Sequence, residues 1–155
     1  MNFADHHAIQ NLIFRYALCM DAGDFAGVGA LFARATLYLP GSDAPAATNG
    51  EEFTALWHRW NRIYPDTGTP RTRHLISNVL IEAQGPDSAR SHAYFTVVQT
   101  APDFPMQTIC GGAYLDRFAR DADGTWFFIE RRELVDQFGD LSRHLTQPYS
   151  EADTR

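Results

Sequence analysis

Between residues 72 and 137 the chain reads as four long β segments joined by short turn signals, and this run limits the available folds more than any other feature. The segments cover residues 72–83, 88–100, 107–120 and 125–137, all rich in β-branched and aromatic side chains. Gly85-Pro86-Asp87, Ala101-Pro102-Asp103 and Asp121-Ala122-Asp123-Gly124 separate them. Connections this short force antiparallel neighbours, because a parallel pair needs a crossover of about a dozen residues or more. Gly111-Gly112 inside the third segment suits a bulge or sharp bend.

The first half of the chain has helical rather than alternating periodicity. Ile9, Leu12, Ile13, Tyr16 and Met20 form one apolar stripe on a helix spanning residues 5–21, with Asp5 able to cap its start and Gly23 suited to the left-handed turn that ends it. Asp24 caps a short second helix through Phe25, Val28, Leu31 and Phe32. A short strand at residues 36–39 follows, and then a third helix opens at Asn49 or Gly50, with Phe53, Leu56, Trp57, Trp60 and Ile63 on its apolar side. Three helices before a run of hairpins is an α+β pattern. A strongly bent, mostly antiparallel sheet with the helices on its concave face is the simplest way to bury both apolar surfaces. Residues 1–139 form that domain. Residues 140–155 are polar and aperiodic apart from Leu141, Leu145 and Tyr149, and are expected to be a flexible tail or to lie across a neighbouring subunit.

A chain of 155 residues is one domain long, with enough apolar content (45%) to bury a continuous core. A net charge of −6 without a basic run argues against nucleic-acid binding. No apolar stretch approaches the ~20 residues needed to span a membrane. No basic segment followed by an apolar run marks a signal peptide. Cys19 and Cys110 lack framework spacing and read as free thiols of a reducing compartment, so a cytoplasmic location is expected.

Chemistry-bearing residues gather in two places. In a strand at residues 72–82, His74, Ile76, Asn78 and Leu80 share one face, which is either a half-apolar pocket wall or an exposed strand face. Near the N-terminus, Tyr16 lies within the buried stripe and Asp21 falls in the last helical turn. A carboxylate there faces the negative end of the helix dipole, and burial pushes its pKa further up unless a donor compensates. It is poorly placed for stability and better placed for chemistry or for pairing with a histidine, although a solvated turn aspartate fits as well. His92 shares a face with Arg90, Tyr94 and Thr96, either a pocket wall or the solvated side. Arg131 and Arg132 point to opposite faces; alternation puts Arg132 with Trp126, Phe128 and Asp136, where an ion pair with Asp136 is expected. Asp116 is a structural partner for Arg73 or Arg117, and Trp57 with Trp60 is core or ligand box. The histidines have no metal-ligand spacing, so no metal site is expected.

The order of these elements resembles the SnoaL-like branch of the nuclear transport factor 2-like superfamily. The residues that carry the resemblance are Ala8-Ile9-Gln10-Asn11-Leu12 leading to Tyr16 and Asp21-Ala22-Gly23-Asp24, Leu31-Phe32, Asn49-Gly50, Thr72-Arg73-His74-Leu75-Ile76-Ser77-Asn78, Gly112-Ala113-Tyr114-Leu115-Asp116-Arg117-Phe118, and Asp123-Gly124-Thr125-Trp126. The resemblance implies a cone-shaped α+β barrel enclosing a pocket open at one end, usually as a homodimer or homotrimer. Scytalone dehydratases and hexachlorocyclohexane dehydrochlorinases share the polar pattern. By that likeness Asp21 and His74 form a catalytic dyad, with Tyr16 one turn before the aspartate as a donor. The second histidine of the dehydratases falls near Val98 or Gln99, where this chain has none; His92 is the nearest candidate. The implied function is a lyase or isomerase, dehydratase-like, that needs no cofactor and acts on a small hydrophobic, aromatic or polycyclic ring compound. Asn78, His92, Trp57 and Arg132 would contact the substrate. The alternative is a non-catalytic scaffold or ligand-binding subunit resembling the β subunit of ring-hydroxylating dioxygenases; a ligand carrier is a third possibility.

Overall fold

The computed structural model describes residues 1–148. Helix α1 (Phe3–Ala22) starts two residues before the expected Asp5, because Asn2 is the cap: its side chain accepts from the Asp5 amide at 2.9 Å, and the Asp5 carboxylate accepts from the Asn2 amide at 2.9 Å. Gly23 ends the helix at φ 72°, as its position suggests. Asp24 caps α2 (Phe25–Leu31) through the Gly27 amide, and Asn49 caps α3 (Gly50–Trp60) through the Glu52 amide. Helix α3 stops one turn before Ile63 because Asn61 is already extended, although Ile63 still packs against the core.

Five strands make one sheet in the order β1-β5-β4-β3-β2, built from β1 (Thr36–Tyr38), β2 (Thr72–Gly85), β3 (Ser88–Ala101), β4 (Phe104–Arg120) and β5 (Trp126–Phe138). The last four form the expected antiparallel meander, and β1 joins β5 in parallel. The three helices lie on the concave face. Their buried side chains meet the sheet in an aromatic stack, with Phe32 between Phe53 (ring centroids 4.6 Å apart) and Phe128 (4.3 Å). Each such ring contributes about 1.5–3 kcal/mol relative to an exposed one.

Several register shifts interrupt the strands, and three of them bear directly on which side chains face inward. The register slips opposite Gly111-Gly112, where the extra residue is Asp136 of β5 rather than one in β4, and a Cβ at Gly112 would lie 1.8 Å from the Leu134 carbonyl oxygen, so only glycine allows β5 this close. In β2 the slip falls between Ser77 and Leu80, where Asn78 adopts φ 52°. Asparagine tolerates that left-handed conformation better than most residues. The shared face expected for His74, Ile76, Asn78 and Leu80 is therefore broken: Thr72, His74 and Ile76 point inward, and after the bulge Val79 and Ile81 do, leaving Asn78 and Leu80 exposed. In β5 the residue after Phe128 is extra, since Arg117 faces Glu130 while Phe118 faces Phe128. The inward residue is thus Arg131, not Arg132.

Residues 140–148 lie on the domain itself. The Arg62 amide donates to the His144 carbonyl at 2.8 Å, the Tyr64 hydroxyl and Gln99 Nε2 donate to the Arg143 carbonyl, and the Thr146 amide reaches the Trp60 carbonyl at 3.0 Å. These bonds anchor the segment across the end of α3, the connection that follows it and the end of β3. Tyr149 lies outside the described residues.

Candidate functional site

The sheet, α1, α3 and residues 141–145 enclose a cavity of about 150 Å³. Its walls are mostly apolar (Met20, Trp57, Trp60, Phe95, Val97, Val135), and its polar side chains are few: Tyr16, Asn61, His74, Tyr114, Glu133 and His144.

His74 enters from β2 and meets the last turn of α1. Its Nδ1 lies 2.6 Å from Asp21 Oδ1, its own backbone N–H donates to Asp21 Oδ2 at 2.9 Å, and the Thr72 hydroxyl donates to Asp21 Oδ1 at 2.9 Å. Burial pushes the Asp21 carboxyl up, but these donors and the charge of His74 outweigh it and hold the pKa below the usual carboxylate range. The donor that a carboxylate at a helix C-terminus requires is thus supplied from the neighbouring strand. With Nδ1 committed to Asp21, Nε2 is the imidazole nitrogen left for the cavity, where His74 is a lining residue.

Beneath the pocket lies the most buried charge of the protein. Arg131 and Asp116 are both fully inaccessible and bidentate, Nε to Oδ1 at 2.7 Å and Nη2 to Oδ2 at 2.8 Å. Burial alone would lower the Arg131 pKa, but Asp116 holds it above the ordinary value. The guanidinium lies 4.1 Å from the ring centroids of both Tyr16 and Tyr114 and so fixes these two phenols as the pocket floor. Burial pushes both phenol pKa values up, so each keeps its proton.

Four readings from the sequence change here. Asp116 pairs with Arg131 rather than Arg73 or Arg117. Arg132 lies outside the pocket, bonded to Glu130 at 3.1 Å and stacked on Tyr38, not on Asp136. His92 stands on the outer sheet face against Tyr94, and Asn78 is exposed at its bulge; neither lines the cavity. Asp21, His74, Tyr16 and Trp57 are brought together, Asp21 through His74 and the other three as lining residues.

Sequence reasoning missed Asn61, Tyr114, Glu133 and His144 as pocket groups, and the last two are the ionisable ones that matter most here. The only signals for these two were the alternation that follows from an inward Arg131, and the Leu141/Leu145 spacing around His144. His144 is buried with no partner on Nδ1, and burial, together with the nearby His74, pulls its pKa down to about 4 from 6.5, Asp21 opposing. Because the unfolded chain takes up the proton first, stability is fully present above pH 6.5 and is lost as pH falls from there towards 4. The loss is on the order of 3 kcal/mol. Urea midpoints at stepwise lower pH should fall through this window in the wild type and stay flatter in His144→Gln; parallel curves would refute this. Asp21 adds acid sensitivity in a lower window, below its unfolded value of 3.8.

Among the described residues no group of three or more His, Cys, Asp or Glu side chains forms a metal-ligand set, and no helix is long and apolar enough to cross a membrane. Cys19 and Cys110 are free thiols; burial pushes Cys110 up to about 12.

A bent sheet closed by three helices over a polar-floored apolar pocket defines the class of small α+β cone proteins. The SnoaL-like domain model matches residues 2–132, and the chain belongs to that family. Solved structures agree in fold. A protein of unknown function from Mycobacterium tuberculosis superposes with a TM-score of 0.69 at 22% identity, over 86% of this chain and 73% of that one. A protein provisionally assigned as a scytalone dehydratase, from Novosphingobium aromaticivorans, gives 0.67 at 19%, over 90% and 91%. The β subunit of a provisionally assigned aromatic-ring-hydroxylating dioxygenase from the same organism gives 0.66 at 22%, over 86% and 90%. No curated protein matches the sequence significantly.

Proposed function

We propose that this SnoaL-like protein is a cofactor-independent lyase or isomerase that removes a proton from a small, largely apolar ring compound, with Asp21 and His74 as its base. The observation that carries the reading is the 2.6 Å contact between Asp21 and His74 Nδ1 at the edge of an apolar cavity. Asp21 fixes the tautomer and stabilises the imidazolium formed when Nε2 takes a proton. The carbon that loses it stands next to a carbonyl or a leaving group. Tyr16, which keeps its proton, donates to the oxygen where charge develops. Trp57 and Trp60 hold the ring. A volume of about 150 Å³ suits one six-membered ring, with larger substituents reaching out of the mouth. The test is deuterium exchange at the α-carbons of monocyclic ketones in D2O, followed by proton NMR. Catalysed exchange supports the reading; none across the set sinks it.

A second reading has one observation in its favour. The outer sheet face exposes Leu75, Leu80, Tyr94 and Leu134, an apolar surface suited to self-association as a homodimer or homotrimer, or to a larger subunit. The enzyme reading expects a homo-oligomer in analytical ultracentrifugation. A monomer that joins a large native complex only with other chains would favour a scaffold.

A further inference from the structure

Among the described residues Glu133 is the one carboxyl group lining the cavity, and no side chain pairs with it. It projects from β5 on the same side as Arg131, two residues away. Arg131 spends Nε and Nη2 on Asp116, and among the described residues Glu133 makes no ion pair and no hydrogen bond. Its Oε2 is buried without a partner. A buried acceptor left alone is costly, more so if charged, so a fold that keeps it has a use for it or keeps it neutral. Burial pushes the Glu133 pKa up, with Asp116 adding to it, and Arg131 and His74 only partly oppose this. Besides His74, the other ionisable groups lining the cavity are Tyr16, Tyr114 and Cys110, which burial keeps protonated, and His144, which burial keeps neutral.

We infer that Glu133 is the proton donor of the pocket, facing His74 as its base, and that the substrate class is a monocyclic β-hydroxy ketone which loses water. The inference rests on the general-base reading of His74 and extends it. A halide leaves as a stable anion without being protonated, whereas hydroxide is a poor leaving group; a neutral carboxylic acid in the wall has a use in the second case. His74 Nε2 takes the proton from the carbon next to the carbonyl. The electron pair of that C–H bond becomes the new C=C bond. The C–O bond at the β carbon breaks with its pair on oxygen, and Glu133 gives that oxygen its proton, so it departs as water. Glu133 is left as a carboxylate and His74 as an imidazolium, and return of one proton between them through solvent restores both.

Two measurements test this. In protein with 13C-labelled glutamate, one side-chain carboxyl should titrate above the others and be missing in Glu133→Gln; all carboxyls titrating together in the ordinary range would overturn the inference. With 3-hydroxycyclohexanone in D2O, the wild type should both exchange the α-protons and form cyclohexenone. Glu133→Gln, which keeps the shape and an N–H but has no proton to give, should leave exchange intact and slow elimination by ~10²–10⁴-fold. Equal elimination in wild type and variant would overturn the role of Glu133 alone. A wild type that neither exchanges nor eliminates would overturn the base reading of His74 and the substrate class together, while the titration still decides whether Glu133 holds its proton.

Discussion

Asp116→Asn is expected to cost about 3–5 kcal/mol of folding stability, because it leaves the Arg131 guanidinium fully buried without a counter-charge. The two residues face each other directly across β4 and β5. No water can replace the lost charge, since Tyr16, Phe32, Tyr114 and Phe128 surround the guanidinium with their ring centroids 4.1–5.2 Å away. The amide still accepts a hydrogen bond, so a loss below about 1 kcal/mol in urea unfolding would mean that hydrogen bonding, not charge, holds this site. Removing both partners tests the same point from the other side. Asp116→Leu with Arg131→Met leaves no orphan charge and should recover much of the single-variant loss. It would also free the two phenols from the group that fixes them, so the double variant should fold yet bind ring ligands less tightly.

His74→Ala is expected to lower α-proton exchange by ~10²–10⁴-fold while leaving the protein folded. The backbone N–H of His74, not only its ring, bonds Asp21, and the alanine variant retains that backbone contact. Asp21→Asn should weaken exchange as well, because the amide can present an N–H to Nδ1 and turn the imidazole to the wrong tautomer. The pair of variants separates chemistry from scaffolding: full exchange in His74→Ala would remove His74 as the base, whatever Asp21→Asn does. Measuring near-ultraviolet circular dichroism alongside keeps a packing defect from passing as a chemical one.

Much of the fold was legible because its signals are local. Gly23, Asp24, Asn49 and the turn clusters act within a few residues of themselves, and each ends or starts an element where it suggests. The pairing of Asp21 with His74 came through family likeness; no spacing rule joins residues 53 apart. What stayed hidden depends on parity. One extra residue after Phe128 exchanges the inner and outer faces of the next stretch of β5, so Arg131 and Glu133 replace Arg132 inside. Nothing at that position marks a bulge, since it carries no glycine or proline. At Asn78 the residue type permits the bulge but does not demand it. The docking of residues 143–146 was not legible for another reason: it runs largely through backbone groups, which leave no pattern in side-chain chemistry.

The three donors on Asp21 all come from β2, although the aspartate itself belongs to α1. One carboxylate therefore acts as the bolt between the helical wall and the sheet wall, as well as the brace of the imidazole. If α1 swung away to admit a ligand, the bolt would draw and the base would lose its orientation in the same movement. The helical wall cannot serve as the door of this room; whatever route a ligand takes has to leave the brace intact throughout the visit.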